Sequence, residues 1–153
     1  MTAETGSELK YDHDVLGVEV EVGSLTVTRE QIDRYCEVVG ETNPLYTDDE
    51  AAEEGRFGEI IAPTGLLQTM HLAQGLDAKV EFGNTGFHAG QRMEFFDPIR
   101  VGDTVTARAQ VKEVYEKTGR SGTMVFIVTR VSYSNQHGSP VMAMEHSFVR
   151  REV

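Results

Sequence analysis

Cysteine is almost missing from this chain of 153 residues, where Cys36 stands alone. A single cysteine excludes an intrachain disulfide and a zinc–thiolate cluster. No oxidising compartment is needed, so a cytoplasmic setting is expected. Positive charge is also scarce: 14 Lys and Arg face 25 Asp and Glu, a net charge of −11. A phosphate backbone requires a Lys/Arg patch, so no nucleic acid is expected as a partner, and an anionic membrane surface is disfavoured on the same ground. A small anionic ligand stays open, because a few local amides outweigh a distant net charge. The longest uncharged stretch, residues 60–76, is broken by Pro63, Gly65, Gln68, His71 and Gln74 and does not suit a membrane span. Residues 1–10 carry Glu4 and Glu8 with no apolar run, which reads as a flexible polar N-terminus and not as a signal peptide. Also missing are internal repeats, a Gly-x-Ser-x-Gly elbow, a phosphate loop, a dinucleotide fingerprint and any histidine pair at metal-ligand spacing. No metal and no cofactor are expected.

What is present suits one domain over residues 11–153, since domains most often run ~100–150 residues. Val18, Val20 and Val22 alternate with Glu19 and Glu21 as a half-buried strand would. Thr28 and Gln31 form a capping box. Ile32, Tyr35, Cys36 and Val39 then make one apolar helical stripe, which Gly40 ends. Cys36 reads as a small core residue. Thr47 and Glu50 make a second capping box, with the short helix stopped by Gly55. A third helix is expected from Pro63 to Gly75, apolar on more than one face through Leu66, Leu67, Met70, Leu72 and Ala73, hence buried on several sides.

From Phe87 onward the sequence is rich in strand formers. Residues 86–96, 104–117, 123–134 and 140–150 are separated by the turn signals Asp97-Pro98, Gly102-Asp103, Gly119, Ser121-Gly122, Asn135 and His137-Gly138. Val105, Ala107, Ala109 and Val111 alternate with polar neighbours, so one face of an antiparallel meander is covered and the other is wet. The fold class is therefore α+β, with a long antiparallel sheet wrapped round a central apolar helix. Such a sheet leaves edges, and edges invite a second copy, so a dimer is expected.

Residues 40–48, Gly-Glu-Thr-Asn-Pro-Leu-Tyr-Thr-Asp, lie between two helices. Asn43-Pro44 breaks the helix and holds neighbouring side chains at set angles. The stretch reads either as a plain connection with a solvated acid and a packing tyrosine, or as one wall of a site.

This stretch and its flanks resemble the MaoC-like (R)-specific enoyl-CoA hydratase/dehydratase family, a hot-dog fold. Gly40-Glu41-Thr42-Asn43-Pro44-Leu45-Tyr46 followed by Asp48, Asp49, Glu50 and Ala51 is similar to the family's core signature. Gly90-Gln91-Arg92-Met93-Glu94-Phe95, Asp97-Pro98-Ile99 and Val101-Gly102-Asp103-Thr104 resemble its strand, Pro turn and Gly-Asp turn. Two positions depart: Glu41 stands at the family's catalytic aspartate and Tyr46 at its histidine. Ile61-Ala62-Pro63-Thr64-Gly65 also differs from the Ala-His-Gly of active members. These departures resemble the FAS1-like dehydratase branch, whose domains often pair with, or are fused to, a domain carrying the intact dyad.

The resemblance implies acyl-CoA or acyl-carrier thioesters as substrates and reversible water addition to a 2-enoyl thioester as the reaction. Such hydration needs a base for water, an acid for the alpha carbon and donors for the enolate oxygen. A histidine titrating near 6.5 serves both proton roles. A tyrosine with its ordinary pKa near 10 is only about one part in a thousand ionised at pH 7. Glu41 keeps the carboxylate but reaches one methylene further, and a ~1 Å misplacement can cost ~100-fold. Glu41, Tyr46 and His88 are the candidate catalytic residues. Asn43, Pro44, Ala62, Pro63, Thr64 and Gly65 are the candidate substrate-binding ones. Thr64 or Gly65 N–H could hold the thioester oxygen at the central helix N-terminus, or Thr64 could simply cap that helix. His88 reads either as bordering the family's substrate tunnel or as a strand-end histidine bonded to a carbonyl. His71 reads as a core residue, His13 and His137 as solvated, and His146 as facing with Met142, Met144 and Phe148 a core or dimer surface.

Three functions follow as expectations. The first is a hydro-lyase component, either the tunnel-shaping partner of a second MaoC-like chain or active alone through Glu41. The others are a hot-dog thioesterase and a non-catalytic acyl-thioester binding module. The assembly is expected to be a homodimer, a heterodimer with a second MaoC-like chain, or a higher oligomer.

Overall fold

A computed structural model describes residues 8–70 and 76–153. In chain order it contains β1 (Val20–Thr26), α1 (Arg29–Val39), α2 (Pro44–Thr47), α3 (Asp49–Glu54), β2 (Thr85–Phe95), β3 (Thr104–Gly119), β4 (Gly122–Ser134) and β5 (Pro140–Arg151). All five strands join one antiparallel sheet in the order β1-β3-β4-β5-β2. The meander expected over four strands holds for β3, β4 and β5, whereas β2 pairs with β5 and not with β3, its neighbour in sequence. Gly119 faces Gly122 across the Arg120-Ser121 turn, where Gly122 takes φ +97°, a conformation open to glycine. β1 and β2 become edges through pairing with β3 and β5, strands distant in sequence.

Alternation on β3 sets the covered face. Val105, Ala107, Ala109 and Val111 are fully buried, while Arg108 is exposed. The alternation expected for β1 holds less well. Val18 and Val20 are exposed, and a register shift between Glu21 and Gly23 interrupts the period-two pattern.

α1 begins and ends as its sequence dictates. Gln31 N donates to Thr28 Oγ1 at 3.2 Å, and Thr28 N donates to Gln31 Oε1 at 2.9 Å. Gly40 is left-handed and its amide donates to the Cys36 carbonyl. Ile32 and Cys36 enter the core beside Val105, Ala107, Tyr133 and Met142, whereas Val39 at the end of the stripe is exposed. The second cap lies one residue later than expected. Asn43-Pro44 nucleates its own turn and takes Thr47 into α2, so Thr47 Oγ1 donates to the Asn43 carbonyl. Asp48 then caps α3, accepting from Ala51 N at 3.1 Å.

The central helix is where expectation and structure part. Among the described residues, the segment expected as a helix from Pro63 to Gly75 forms a five-residue 3-10 turn, Leu66–Met70. His71, Leu72, Ala73 and Gly75 lie outside the described residues, as do Met1 to Ser7. Leu66 and Leu67 are nevertheless buried in the main core, and the Gln68 amide reaches the sulfurs of Met93 and Met144. Apolar residues on every side specify burial and leave the helical pitch open. A second cluster of Ala78, Val80, Val111 and Val125 packs against Leu9 and Tyr11. Lys10 accepts from Glu81 N at 2.9 Å, so residues 9 and 10 of the expected flexible leader are tied to the fold.

The Gly-Asp turn before β3 is pinned by Asp103, a buried carboxylate. It accepts from Arg100 N at 2.8 Å and Gln136 Nε2 at 2.9 Å. The turn carries Ile99, whose carbonyl accepts from Ala62 N at 2.7 Å. That bond fixes the start of the segment leading to Gly65.

Candidate functional site

Two local structures carry the candidate residues. The first is the loop between α1 and α3. Because Gly40 turns the chain back on α1, Glu41 N also donates to the Cys36 carbonyl, at 2.9 Å. The Glu41 carboxylate, half-buried, accepts from Asn43 N at 2.8 Å. Asn43 Oδ1 in turn accepts from Leu45 N at 3.0 Å, and Pro44 is the first residue of α2. Asn43 and Pro44 therefore shape the loop and remain exposed themselves.

Tyr46 packs half-buried against the main core. Burial first, then the nearby Glu41 carboxylate, pushes its phenol above the ordinary tyrosine range. Burial likewise raises the Cys36 thiol, with Glu41 and Asp33 adding to it. Glu41, Tyr46 and Cys36 thus form one electrostatic neighbourhood. A phenol displaced upward stays protonated at neutral pH, so Tyr46 can donate a hydrogen bond but is a poor acceptor of a proton.

The second structure is the turn through Ala62, Pro63, Thr64 and Gly65. Ala62 and Pro63 are buried, Gly65 is half-buried and Thr64 is exposed. Leu66 N donates to the Pro63 carbonyl and Gln68 N to that of Gly65. Among the described residues the amides of Thr64 and Gly65 meet no acceptor, so they remain available to a ligand oxygen. Among the described residues the segment that follows is the 3-10 turn Leu66–Met70. Gly65 is closely packed: a Cβ there would meet Tyr35 Oη and the ring would have to shift. Tyr35, read from sequence only as part of the α1 stripe, therefore buttresses this turn.

His88 is not brought to either structure. It is exposed on β2 beside a register shift between His88 and Gly90, and its ring neighbour is His146 at 5.8 Å between centroids. His146 is half-buried; burial first, then the His88 charge, lowers its affinity for a proton. Met142 and Met144 on its face are buried and Phe148 is exposed. His13 is exposed and lies tilted against the Tyr11 ring, and His137 is exposed in its turn. Among the described residues no three His, Cys, Asp or Glu side chains are grouped to hold a metal, and no helix is long and apolar enough to cross a membrane.

Two cavities flank the Thr64-Gly65 turn. One of about 460 Å³ runs along α1, between Tyr35, Val38 and Val39 on one side and Leu66 and Thr69 on the other. The other, about 470 Å³, lies between Arg56 and Phe57, the chain at Ala62 and Thr64, and residues 95–99. Glu41, Tyr46 and His88 line neither. Nothing in the sequence signalled Arg56, because its place in the cavity depends on chain segments about 40 residues apart.

Comparison with known proteins places this geometry. A UPF0336 protein of Streptomyces avermitilis is 27% identical over 99 residues, 61% of this chain and 65% of that one, so the chain spans under two thirds of that relative's length. A protein of Thermomonospora curvata, described as a probable enoyl-CoA hydratase alpha subunit, is 27% identical over 137 residues, 78% of this chain and 43% of its own. Among solved structures, the MaoC-like dehydratase from Rhodospirillum rubrum superposes with a TM-score of 0.68 at 19% identity, over 94% of this chain and 99% of that one. The HadBC (3R-hydroxyacyl-ACP dehydratase) complex of Mycobacterium tuberculosis gives 0.70 at 22%, over 90% and 98%. At these identities the structures establish the hot-dog fold, with β2 and β1 at the sheet edges. The model of the FAS1-like, dehydratase domain region matches residues 14–144, and the chain belongs to that family of MaoC-like hot-dog domains.

Proposed function

We propose that this chain is one component of a MaoC-like dehydratase or hydratase acting on acyl thioesters, and that a second hot-dog chain supplies the Asp/His pair. The observation that carries this reading is the state of Tyr46. Where the family has a histidine able to pass protons at neutral pH, this chain has a phenol, protonated there by its ordinary value and pushed further up by burial and Glu41. In the reaction, a base removes a proton from water, oxygen bonds to the beta carbon, and the alpha carbon takes a proton. The free amides at Thr64 and Gly65 suit the enolate oxygen that forms in between. Glu41 and Tyr46, which line neither cavity, then shape the loop after α1 instead of carrying protons.

Support for a second chain comes from the β2 edge, which among the described residues has no strand on its outer side and exposes Phe87, Met93 and Phe95. One structural neighbour is a two-chain dehydratase complex, and one relative is described as a probable alpha subunit. The lone buried cysteine fits a cytoplasmic setting.

The test is crotonyl-CoA hydration by the purified chain, alone and with a MaoC-like chain carrying an intact Asp-x-Asn-Pro-x-His. Turnover is expected only in the mixture. Robust turnover by the chain alone, abolished by Glu41→Gln, would overturn the partner reading. Free-thiol release without loss of enoyl absorbance would point to a thioesterase instead.

A further inference from the structure

We propose that His88, His146 and Met144, side by side on one face of β2 and β5, bind a soft monovalent metal ion, Cu(I). The strand register decides which side chains share that face. Gln91 stands opposite His146 and His88 opposite Phe148, and His146 and Phe148, two apart on β5, point the same way. His88 and Gln91 are three apart on β2, so an unbroken strand would send them to opposite faces. The register shift between His88 and Gly90 removes that conflict and turns His88 toward His146. The two histidines lie far apart in the chain, so no sequence spacing announces them.

The two rings meet edge to face, with centroids 5.8 Å apart and planes at 71°. With metal–nitrogen bonds of about 2.0 Å, two imidazoles on one ion have ring centres roughly 5.5 Å apart at a trigonal angle and roughly 6.3 Å apart when opposed. The observed separation falls between these, the range of a cation with two or three ligands. Among the described residues no protein group bonds a ring nitrogen of either histidine, unlike His137, whose Nε2 meets Gln136 Nε2 at 3.3 Å. No unpartnered side-chain nitrogen among them is sealed in the interior, so both rings are open to an ion. The third donor is a thioether. Gln91 Nε2, on the His146 rung, donates to Met144 Sδ at 3.5 Å and so draws that sulfur toward the histidines. Imidazole suits several transition metals, whereas a thioether selects Cu(I). Among the described residues no carboxylate or thiolate joins the pair to make a group of three, so a hard ion or a four-coordinate Zn(II) lacks donors here.

This site does not depend on the acyl-thioester reading. The full chain is titrated with Cu(I), under reducing and oxygen-free conditions, against the colorimetric chelator bicinchoninate, and separately with Zn(II). Wild type is expected to take one Cu(I) per chain and to hold it more tightly than Zn(II). Losing an outer partner of a metal ligand already costs roughly 10–100-fold in affinity, and losing a ligand costs at least as much. His88→Gln and His146→Gln are therefore each expected to weaken Cu(I) binding by roughly tenfold or more. Met144→Leu is expected to weaken Cu(I) binding and leave Zn(II) binding unchanged. X-ray absorption at the copper edge should show a sulfur neighbour in wild type that Met144→Leu removes. His88 is exposed, so His88→Gln carries the test even where His146→Gln fails to fold. Cu(I) left on the chelator by wild type, or held equally well by His88→Gln, overturns the site. Zn(II) held as tightly as Cu(I), or a copper edge without sulfur, overturns Met144 as a ligand and the choice of Cu(I).

Discussion

Replacing Gly65 with alanine is expected to destabilise the protein, although the same change at an unhindered glycine of ordinary φ would stabilise it by about 0.4–1 kcal/mol through the unfolded chain. The added Cβ would strike Tyr35 Oη and stand 3.2 Å from Tyr35 Cζ. Relief requires the half-buried Tyr35 ring to leave its place against the core, or the Ala62–Gly65 turn to move. Overpacking of this kind costs roughly 1–3 kcal/mol. In a domain of this size each kcal/mol moves the thermal midpoint by roughly 2–4 °C. Tyr35→Phe alone removes an oxygen with no hydrogen-bond partner among the described residues and is expected to cost less than about 1 kcal/mol. In the double variant the collision with oxygen is gone, and a shift of a few tenths of an ångström accommodates the methyl group. Most of the Gly65→Ala loss is therefore expected to return. Urea denaturation of the four proteins gives the coupling free energy, expected at about 0.5–3 kcal/mol. A Gly65→Ala variant more stable than wild type, or strictly additive effects, would refute the contact and with it the role of Tyr35 as buttress.

Two further expectations concern stability. His146 has its folded-state proton affinity lowered by burial and then by the His88 charge. The unfolded chain therefore binds a proton near pH 6.5 while the folded chain resists, so stability falls as pH drops through that value. Midpoints followed from about pH 8 down to about 5.5 should show this decline, and His146→Gln should flatten it. An unchanged slope would remove His146 from the account. That range stays above the window in which Glu145, held below its ordinary 4.5 by Lys112 and Arg130 against the opposing effect of burial, loses its own contribution on acidification. Asp103→Ala leaves Arg100 N and Gln136 Nε2 without their acceptor and is expected to cost about 2–4 kcal/mol in urea unfolding. A cost under about 0.5 kcal/mol would show that water replaces the carboxylate freely.

Much of the framework was legible from residue order. The capping box at Thr28 and Gln31, the Gly40 stop, the β3 alternation and the turns around residues 97–103, 119–122 and 135–138 all involve partners within a few positions. Their spacing is their mechanism. The resemblance carried by residues 40–51 likewise pointed to a MaoC-like domain, and the model matching residues 14–144 bears it out. The segment after Pro63 was less legible. Its apolar residues specified burial, which Leu66 and Leu67 confirm, but the 3-10 turn Leu66–Met70 is set by packing on β2 and β5. His88 was placed by its strand, yet its orientation toward His146 depends on a register shift in β2.

By itself the amino-acid order determined both ends of α1, the β3-β4-β5 meander and the buried face of β3. Tertiary structure alone decided that Tyr35 meets Gly65, that Arg56 shares a cavity with residues 95–99, and that β2 rather than a meander strand lies open at an edge. Capping and alternation act over four residues or fewer, whereas those contacts join segments tens of residues apart. Their geometry exists only after the sheet order β1-β3-β4-β5-β2 has formed.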